Sequence, residues 1–490
     1  MSADRPARYL EVERKFDVDA STRPPVFDDL AGVARTEHAD TQALDAVYFD
    51  TAERDLASNR ITLRRRTGGL DAGWHLKLPA GSDARTEVRL PLDTDAPDQV
   101  PAELLDVVLA VVRDRPVSPV AQISTTRQVQ LLHDADDDVI AEFCDDQVTA
   151  GRGADGTTAE QRWREWELEL VGDAPNAGLM DRVCRRLLDA GAKPAGHGSK
   201  LARVLDTSPK GLPADPLHRA LAEQIAELVT WDRAVRARAD DAVHQMRVTA
   251  RKIRSLLQAS PDSFGLADDA PVIAELRELG NVLGVARDAE VLADRYRSAL
   301  DDLPPELVRG PIRQRLVGGA EQRYRSGLRH ALAAMRSPRY FRLLDALDAV
   351  IAEPPPADRE PGPAAVAKAG KKVRKAAKAA GHARDGADRD NAIHRIRKRA
   401  KRLRYTADAI GAKKVSMRAK ELQSLLGDHQ DSVVSREHLS EQAEAAHAAA
   451  EDTFTYGLLY QREADTAVDS RRQLDSKLAA LDKAVHKLSR

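Results

Sequence analysis

Apolar and polar residues alternate with a period of two through the first two hundred or so residues, and with a period near 3.6 through the rest. Side chains on a strand point to opposite faces in turn, so strict alternation predicts half-buried strands. The stretch Tyr9–Phe16 opens the series, with Glu11, Glu13 and Lys15 on one face and Leu10, Val12 and Phe16 between or beside them. Asp45–Thr51, Ile61–Arg66, Trp74–Leu78, Arg85–Leu90, Ile123–Leu132, Val139–Phe143 and Arg164–Leu170 continue it. Their ionic positions are Arg64 and Arg66, then His75 and Lys77, then Arg85, Glu87 and Arg89. Arg127 follows, then Glu142 with Asp145 and Asp146 just beyond it, and finally Glu165, Glu167 and Glu169. Helical spacing marks Ala102–Val112 and Leu179–Ala190, and a short helix is expected near Val26–Ala34, after Pro24-Pro25.

An open sheet with its ionic face in water would show this pattern, and Glu-x-Glu-x-Lys on an exposed strand is common. Repetition over at least five strands favours a closed or nearly closed antiparallel barrel. Its ionic residues would then line a lumen, and helices would cover its apolar outside. Charges buried at that density must be paired or coordinating. A polyphosphate with a divalent metal satisfies both signs, because guanidiniums grip phosphate oxygens and carboxylates hold the metal.

The Pro-rich run Thr207–Pro216 breaks the pattern. It sets expected boundaries of 1–206 for the strand domain, 207–215 for a linker and 216–490 for a helical domain. Two helical stretches stand out beyond it. Aligning His244 with His394 superposes Arg247 on Arg397, Arg251 on Lys401 and Arg254 on Arg404, each set within about a quarter-turn arc of its helix. Leu279–Gly284 with Asp288 likewise matches Leu422–Gly427 with Asp431. The second half is therefore an internal duplication, with a linker at about 353–391 that holds the Pro-rich Glu353–Pro363 and a Lys/Ala-rich helix at Ala364–Ala380. The expected class is α+β: an antiparallel β barrel with flanking helices, followed by an all-α duplicated bundle.

Composition narrows the function. The chain has 490 residues, enough for more than one domain, and a formal net charge of −2 that hides a basic C-terminal half. Aromatic residues make up 4%, which argues against base stacking as the means of binding single-stranded nucleic acid. Two cysteines without a CxxC pair exclude a disulfide framework and a zinc site, and suit a reducing cytoplasm. Neither a secretory signal nor a membrane-length apolar run is visible.

The first 205 or so residues resemble the CYTH superfamily, the triphosphate tunnel enzymes. The resemblance rests on Glu11-x-Glu13-x-Lys15, Tyr48–Thr51, Arg64-x-Arg66, Lys77, Arg85-x-Glu87, Arg127, Glu142, Glu165-x-Glu167-x-Glu169 and Gly198–Leu201 with Arg203, in that order. It implies an antiparallel tunnel that hydrolyses or cyclises triphosphates with Mg2+ or Mn2+. Lys15, Arg64, Arg66, Lys77, Arg85, Arg127, Lys200 and Arg203 would bind phosphate. Glu11, Glu13, Glu142, Asp146, Glu165, Glu167 and Glu169 are the metal candidates, with the register of the last three left open. Glu11, Glu13 and Lys15 would be the catalytic group, Lys15 as a phosphate clamp or, if its pKa falls, a general base.

Residues 216–488 resemble the CHAD domain, a pseudo-symmetric helical bundle that binds inorganic polyphosphate and is often fused to CYTH domains. This implies a polyphosphate groove of His244, Arg247, Arg251, Arg254, His394, Arg397, Lys398, Lys401 and Arg404, with Asp288 and Asp431 orienting arginines. The expectation is an inorganic triphosphatase carrying a binding domain for long-chain polyphosphate, cytoplasmic and able to associate with polyphosphate granules. No membrane and no specific nucleic acid are expected as partners. The competing readings are a binding protein without turnover, an enzyme for thiamine triphosphate or a nucleotide, and a nucleic-acid binder. For a nucleotide base, Tyr48, Trp74, Trp163 and Trp166 are the stacking candidates.

Overall fold

The computed structural model describes residues 7–81, 83–92, 99–153, 158–172, 177–208, 211–259, 261–267, 270–352, 363–384, 386–409 and 411–488. Residues 209–210 of the expected linker and 353–362 of the Pro-rich connection lie outside the described residues. The chain divides into two compact units, Met1–Gly211 and Leu212–Arg490.

The first unit contains β1 (Ala7–Val18), β2 (Arg35–His38), β3 (Gln42–Asp50), α1 (Asp55–Ser58), β4 (Thr62–Thr67), β5 (Gly73–Pro79) and β6 (Ala84–Leu90). It continues with α2 (Ala102–Val112), β7 (Ser118–His133), β8 (Val139–Arg152), β9 (Thr158–Leu170), α3 (Ala177–Asp189), β10 (Lys193–Pro194) and α4 (Lys200–Leu205). Eight strands pair antiparallel in the order β1-β6-β5-β4-β3-β7-β8-β9, and β9 returns to β1, so the barrel is closed. The short β2 and β10 add to β7 and β1.

Register follows charge. Lys15 lies opposite Glu167, Glu11 opposite Arg85, Lys77 opposite Glu87 and Arg127 opposite Asp146. Cross-strand neighbours of opposite sign stabilise one pairing over its one-residue slip, which would turn every ion outward. The opposite faces of the same strands carry Phe16, Leu132, Phe143, Trp166 and Leu168. These pack with Leu179, Met180, Val183 and Leu187 of α3. Each of those buried helix side chains contributes about 1.5–3 kcal/mol.

The expectation that helices only cover the outside needs correction. Leu201, Val204 and Leu205 of α4 pack with Ala46, Tyr48, Ala121, Ile123, Val148 and Ala150. Ala46, Tyr48 and Ile123 also line the lumen, so α4 fills one end of the barrel from within. Alanines at inward positions leave the room a helix needs. Ser199 caps α4 by accepting a hydrogen bond from the Ala202 N–H at 3.1 Å.

The helix expected at Val26–Ala34 does not form. Two tight turns replace it, with the Leu30 N–H donating to Phe27 O and the Val33 N–H to Leu30 O, each at 2.9 Å. Pro24-Pro25 and Gly32, at φ +96°, bracket too few residues to nucleate a helix, and the turns drive Phe27 and Val33 into the core against α3.

The second unit contains α5 (Pro216–Arg236), α6 (Ala242–Ala259), α7 (Pro271–Asp301), α8 (Gly319–Ala334) and α9 (Pro338–Ala352). A second set follows: α10 (Pro363–Gly381), α11 (Ala387–Ala409), α12 (Lys413–Ala448) and α13 (Phe454–Leu488). The histidine-bearing helices are α6 and α11, the Leu-Gly helices are α7 and α12, and α6 packs on α11. Pro338 restarts the chain between α8 and α9, whereas α13 runs 35 residues unbroken. The Lys/Ala-rich helix is more than a connection. Val366, Val373 and Ala380 of α10 share a core with Ile396, Leu403, Leu422 and Leu481, so α10 belongs to the second bundle. Among the described residues no helix is long and apolar enough to cross a membrane.

Candidate functional site

The barrel lumen holds a cavity of about 290 Å³. Of the residues expected there, Glu11, Glu13, Lys15, Arg64, Arg66, Lys77, Arg85, Arg127, Glu142, Glu167, Glu169 and Lys200 line it. Strand order sorts them by sign. The carboxylates come from the adjacent strands β8, β9 and β1, and most of the cations from β7 and the β4-β5-β6 side. A ligand in this lumen therefore meets cations on one wall and carboxylates on the other.

On the acidic wall, Lys15 Nζ lies 2.9 Å from Glu13 Oε2 and also pairs closely with Glu167. Burial alone would lower its pKa, but Glu13 and Glu167 outweigh burial and hold it above the usual lysine range. With these pairs in place Lys15 is held protonated, which favours the clamp over the general base. Burial works against the ionised Glu13 too, yet Lys15 and Lys77 keep its carboxyl down at about 2. Lys77 Nζ is 2.5 Å from Glu11 Oε2, and Arg85 Nε is 3.3 Å from Glu13 Oε1.

On the basic wall, Arg64 donates to the Tyr48 hydroxyl at 3.3 Å, and Arg66 pairs with Asp71 at a turn. Burial, then its neighbours Arg64 and Arg127, lower the Arg66 pKa to about 9. The Nε atoms of Arg64 and Arg66 are buried without a hydrogen-bond partner among the described residues. Buried donors without partners are costly, and an anion in the lumen would satisfy them.

Two carboxylate groups were candidates for metal. Asp146, Glu165 and Glu167 place ligand oxygens within 4.8 Å of one another. They sit around the Lys200 ammonium, at 2.8, 2.7 and 2.7 Å, and Arg127 binds Asp146 at 2.7 Å. Glu169 lines the cavity without a pair to Lys200. Burial and then Glu11 push its pKa up to about 7, with Glu13 and Glu142 adding to the shift. Burial also raises Glu11. Glu169 has no ion-pair partner among the described residues, Glu11 shares Lys77 and Arg89 with its neighbours, and the hard oxygens of both fit a divalent ion such as Mg2+ or Mn2+.

Arg203 is placed elsewhere. It pairs with Asp17 at 2.5 Å and lies over the Trp163 ring, 4.8 Å from its centroid. Sequence reasoning left the buried His75–Glu87 pair without a role. His75 Nδ1 is 2.9 Å from Glu87, whose carboxylate also pairs with Arg89, so Glu87 orders the β5–β6 wall from behind. Inward alternation with Lys77 and Arg89 was the available signal.

In the second unit, the cations expected to line a groove come together where α6 meets α11. Burial first, then Arg251, Arg397, Arg247 and Arg254, push the Lys401 pKa down to about 6. Burial and then Arg247 lower Arg251 to about 10. Five cations therefore crowd one site. Arg247 donates to Gly280 O at 3.3 Å and pairs with Asp288 at 2.9 Å. A Cβ on Gly284 would stand 3.0 Å from Arg247 Nη2, and one on Gly427 would stand 3.4 Å from Arg397 Nη2, so the matched glycines make room for matched arginines. Burial of Asp431 raises its pKa against the pull of Arg397 and Arg295. Arg404 is 3.8 Å from Asp408. Burial, then neighbouring cations, lowers the pKa of both His244 and His394, which disfavours their charged form before an anion binds. Lys398 is exposed on the flank of α11, and Arg254 lies near Arg277.

A closed barrel whose lumen sets cations against carboxylates, on one chain with a duplicated helical bundle, is the architecture of a triphosphate tunnel protein. The chain belongs to the CYTH and CHAD families: a CYTH domain model matches residues 10–182 and a CHAD domain model residues 219–440. An uncharacterized protein of Mycobacterium tuberculosis is 63% identical, over 99% of each chain. Among solved structures, PptA from Streptomyces chartreusis is 21% identical, covers 55% of this chain and 99% of its own, and has a TM-score of 0.44. The CHAD domain from the plant Ricinus communis is 22% identical over 55% of this chain and 90% of its own, with a TM-score of 0.38.

Proposed function

We propose that the barrel hydrolyses inorganic triphosphate with Mg2+ or Mn2+, and that the helical unit binds long-chain inorganic polyphosphate. The observation that carries the choice of an inorganic substrate is the cavity's lining. Of the four aromatic residues available to hold a base or thiamine ring, only Tyr48 lines the lumen, and its hydroxyl is engaged by Arg64. Trp74 and Trp166 are fully buried outside the cavity lining, and Trp163 lies beneath Arg203.

Arg64, Arg66, Lys77 and Arg85 would grip the phosphates, with the guanidiniums offering paired donors in fixed geometry. Lys15, kept charged by Glu13 and Glu167, would clamp a phosphate oxygen and stabilise charge on the transferring phosphoryl group. Glu11, Glu13, Glu142 and Glu169 would hold the metal, whose chemistry is charge neutralisation and a lowered pKa for the attacking water. Being on the same chain, the polyphosphate-binding unit would keep the barrel at high effective concentration near chain ends.

The test is phosphate release from tripolyphosphate and, separately, from ATP, with Mg2+ or Mn2+, in the wild type and in Glu11→Ala with Glu13→Ala. Fast release from tripolyphosphate, slow release from ATP and loss in the double variant are expected. No release from either substrate, with polyphosphate still bound, would favour the reading of a binding protein without turnover.

A further inference from the structure

Some exposed cations on the second unit are paired with acidic neighbours. Arg297 pairs with Asp294 at 2.6 Å, Arg313 with Asp301 at 2.7 Å, Arg339 with Glu275 at 2.6 Å and Arg462 with Asp302 at 2.6 Å. One face gathers cations that have no such partner. On α10, Lys368, Lys372 and Lys375 are exposed and follow one another at helical spacing, so they share a side. On α11, Arg395, Lys398 and Arg399 are exposed, with Arg402 half-buried among them. Apart from Arg402, which donates to Gln258 O at 2.9 Å, none of these cations has an ion-pair or hydrogen-bond partner among the described residues. A fold that only needed solubility would pair or disperse such charge, because like charges in a row destabilise the helices that carry them.

The two helices bring the charges together. They pack through Val366, Val373, Ala380, Ile396 and Leu403, which leaves the cations outside. Lys372, although nearly fully exposed, has its pKa lowered by Arg402 first, then by slight burial, Arg399 and Lys368. Helical geometry also joins this face to the groove. At about 100° per residue, Arg397, Lys401 and Arg404 lead through Lys398 and Arg402 to Arg395 and Arg399 in one band, which covers more than half the circumference of α11.

We propose that the α10–α11 face is a second polyanion site, continuous with the α6–α11 groove, that takes a further segment of the same polyphosphate chain. This rests on the groove being a polyphosphate site. The residues favour a flexible inorganic chain over nucleic acid. None of the cations named on this face has an aromatic partner among the described residues, Tyr405 in the same band of α11 is covered by Arg404, and lysine ammoniums on long stems follow a moving phosphate line as point charges.

The experiment uses the full chain and two variants. The face variant is Lys368→Gln, Lys372→Gln, Lys375→Gln and Arg399→Gln, all at exposed positions. The groove variant is Arg251→Gln with Lys401→Met. Far-UV circular dichroism checks that both fold. Binding is measured for short polyphosphate, of roughly ten phosphates, and for long polyphosphate, of roughly a hundred, over a salt series. The face variant should bind short chains within about twofold of wild type, bind long chains about 10- to 100-fold more weakly, and lose about three units of salt slope. Unchanged long-chain affinity and slope would overturn the second site while leaving the groove intact. Equal loss for both lengths would overturn the division into two segments. A groove variant that binds both lengths normally would overturn the underlying groove reading. Displacement of long polyphosphate by duplex DNA at equal phosphate, in the wild type but not in the face variant, would make the face a nucleic-acid site and overturn the proposal.

Discussion

Lys200 Nζ lies 2.8 Å from Asp146 Oδ2, tying the helix inside the barrel to the barrel's wall. The same ammonium serves Glu165 and Glu167, so it shares a buried acidic triad with Arg127 and Lys15. Lys200→Met should cost about 3–5 kcal/mol, because it leaves the buried Glu165 without its ion pair. Thermal melting of the variant should show this as a lower Tm. Millimolar Mn2+ should then recover more stability in the variant than in wild type, since a cation can take the ammonium's place. Equal melting temperatures without metal would refute the structural role of the lysine.

Glu169 predicts the direction of a pH effect. Its carboxyl holds a proton up to about pH 7, and a divalent ion binding there must displace that proton. Metal affinity should therefore rise with pH, by up to about tenfold per unit below pH 7, and level off above it. Calorimetric titration of Mn2+ in buffers of different ionisation heat reads both affinity and protons released. Glu169→Gln should flatten the dependence. A flat profile in the wild type would remove Glu169 from the metal site.

Lys401 predicts the opposite slope in the other unit. In the empty groove it gives up its proton at about pH 6, because burial and four arginines oppose its charge. A polyanion reverses that balance, so binding takes up a proton at neutral pH. Polyphosphate affinity should fall as pH rises above 6, by up to about tenfold per unit until the pKa of the bound state is passed. Lys401→Arg, charged throughout, should bind with a shallower pH dependence. If wild type and Lys401→Arg show the same slope, some other group carries the proton.

Two glycines separate groove geometry from packing. Gly284→Ala would press on the mobile end of Arg247, whereas a Cβ on Gly327 would stand 2.8 Å from the backbone N of Ala286. Gly327→Ala should destabilise by about 1–3 kcal/mol through overpacking between α7 and α8. Gly284→Ala should melt within about two degrees of wild type, because the added Cβ meets only the end of a flexible side chain, yet bind polyphosphate several-fold more weakly. Chemical denaturation and polyphosphate titration of the two variants distinguish the effects. The reverse pattern would undo the assignment.

The barrel was legible because its two faces use different residue types, so every second residue declared its side. Lys15, Arg64, Lys77, Arg127 and Glu167 reached the lumen as their alternation implied. The helices were legible where an apolar stripe faces a core, as in Ala102–Val112. Residues 200–205 were recognisable as a motif but not as a helix turned inward, because Leu201, Val204 and Leu205 read alike whichever side of a sheet they cover. Arg203 lies off the cavity lining, paired with Asp17, because on a short helix inside a barrel two cations three residues apart serve different surfaces. The depressed pKa of Lys401 was invisible because it arises first from burial and then from arginines that lie mostly on α6, far away in sequence. Val26–Ala34 misled because apolar residues in tight turns can reach a core without forming a helix.

The ring of strands has a consequence for how the protein is made. Val12 of β1 pairs with Leu170 of β9, so the first strand cannot complete its place until the ninth has emerged. At ~5–20 residues per second on the ribosome, that is a wait of about 10–30 s. Throughout it, the strand bearing Glu11, Glu13 and Lys15 has one edge unsatisfied. The inner end closes later still, when Lys200–Leu205 follows. Nascent chains are thus most exposed to wrong pairing at the very strand on which the chemistry depends, and its dense charge is also what discourages a neighbouring chain from completing the edge first.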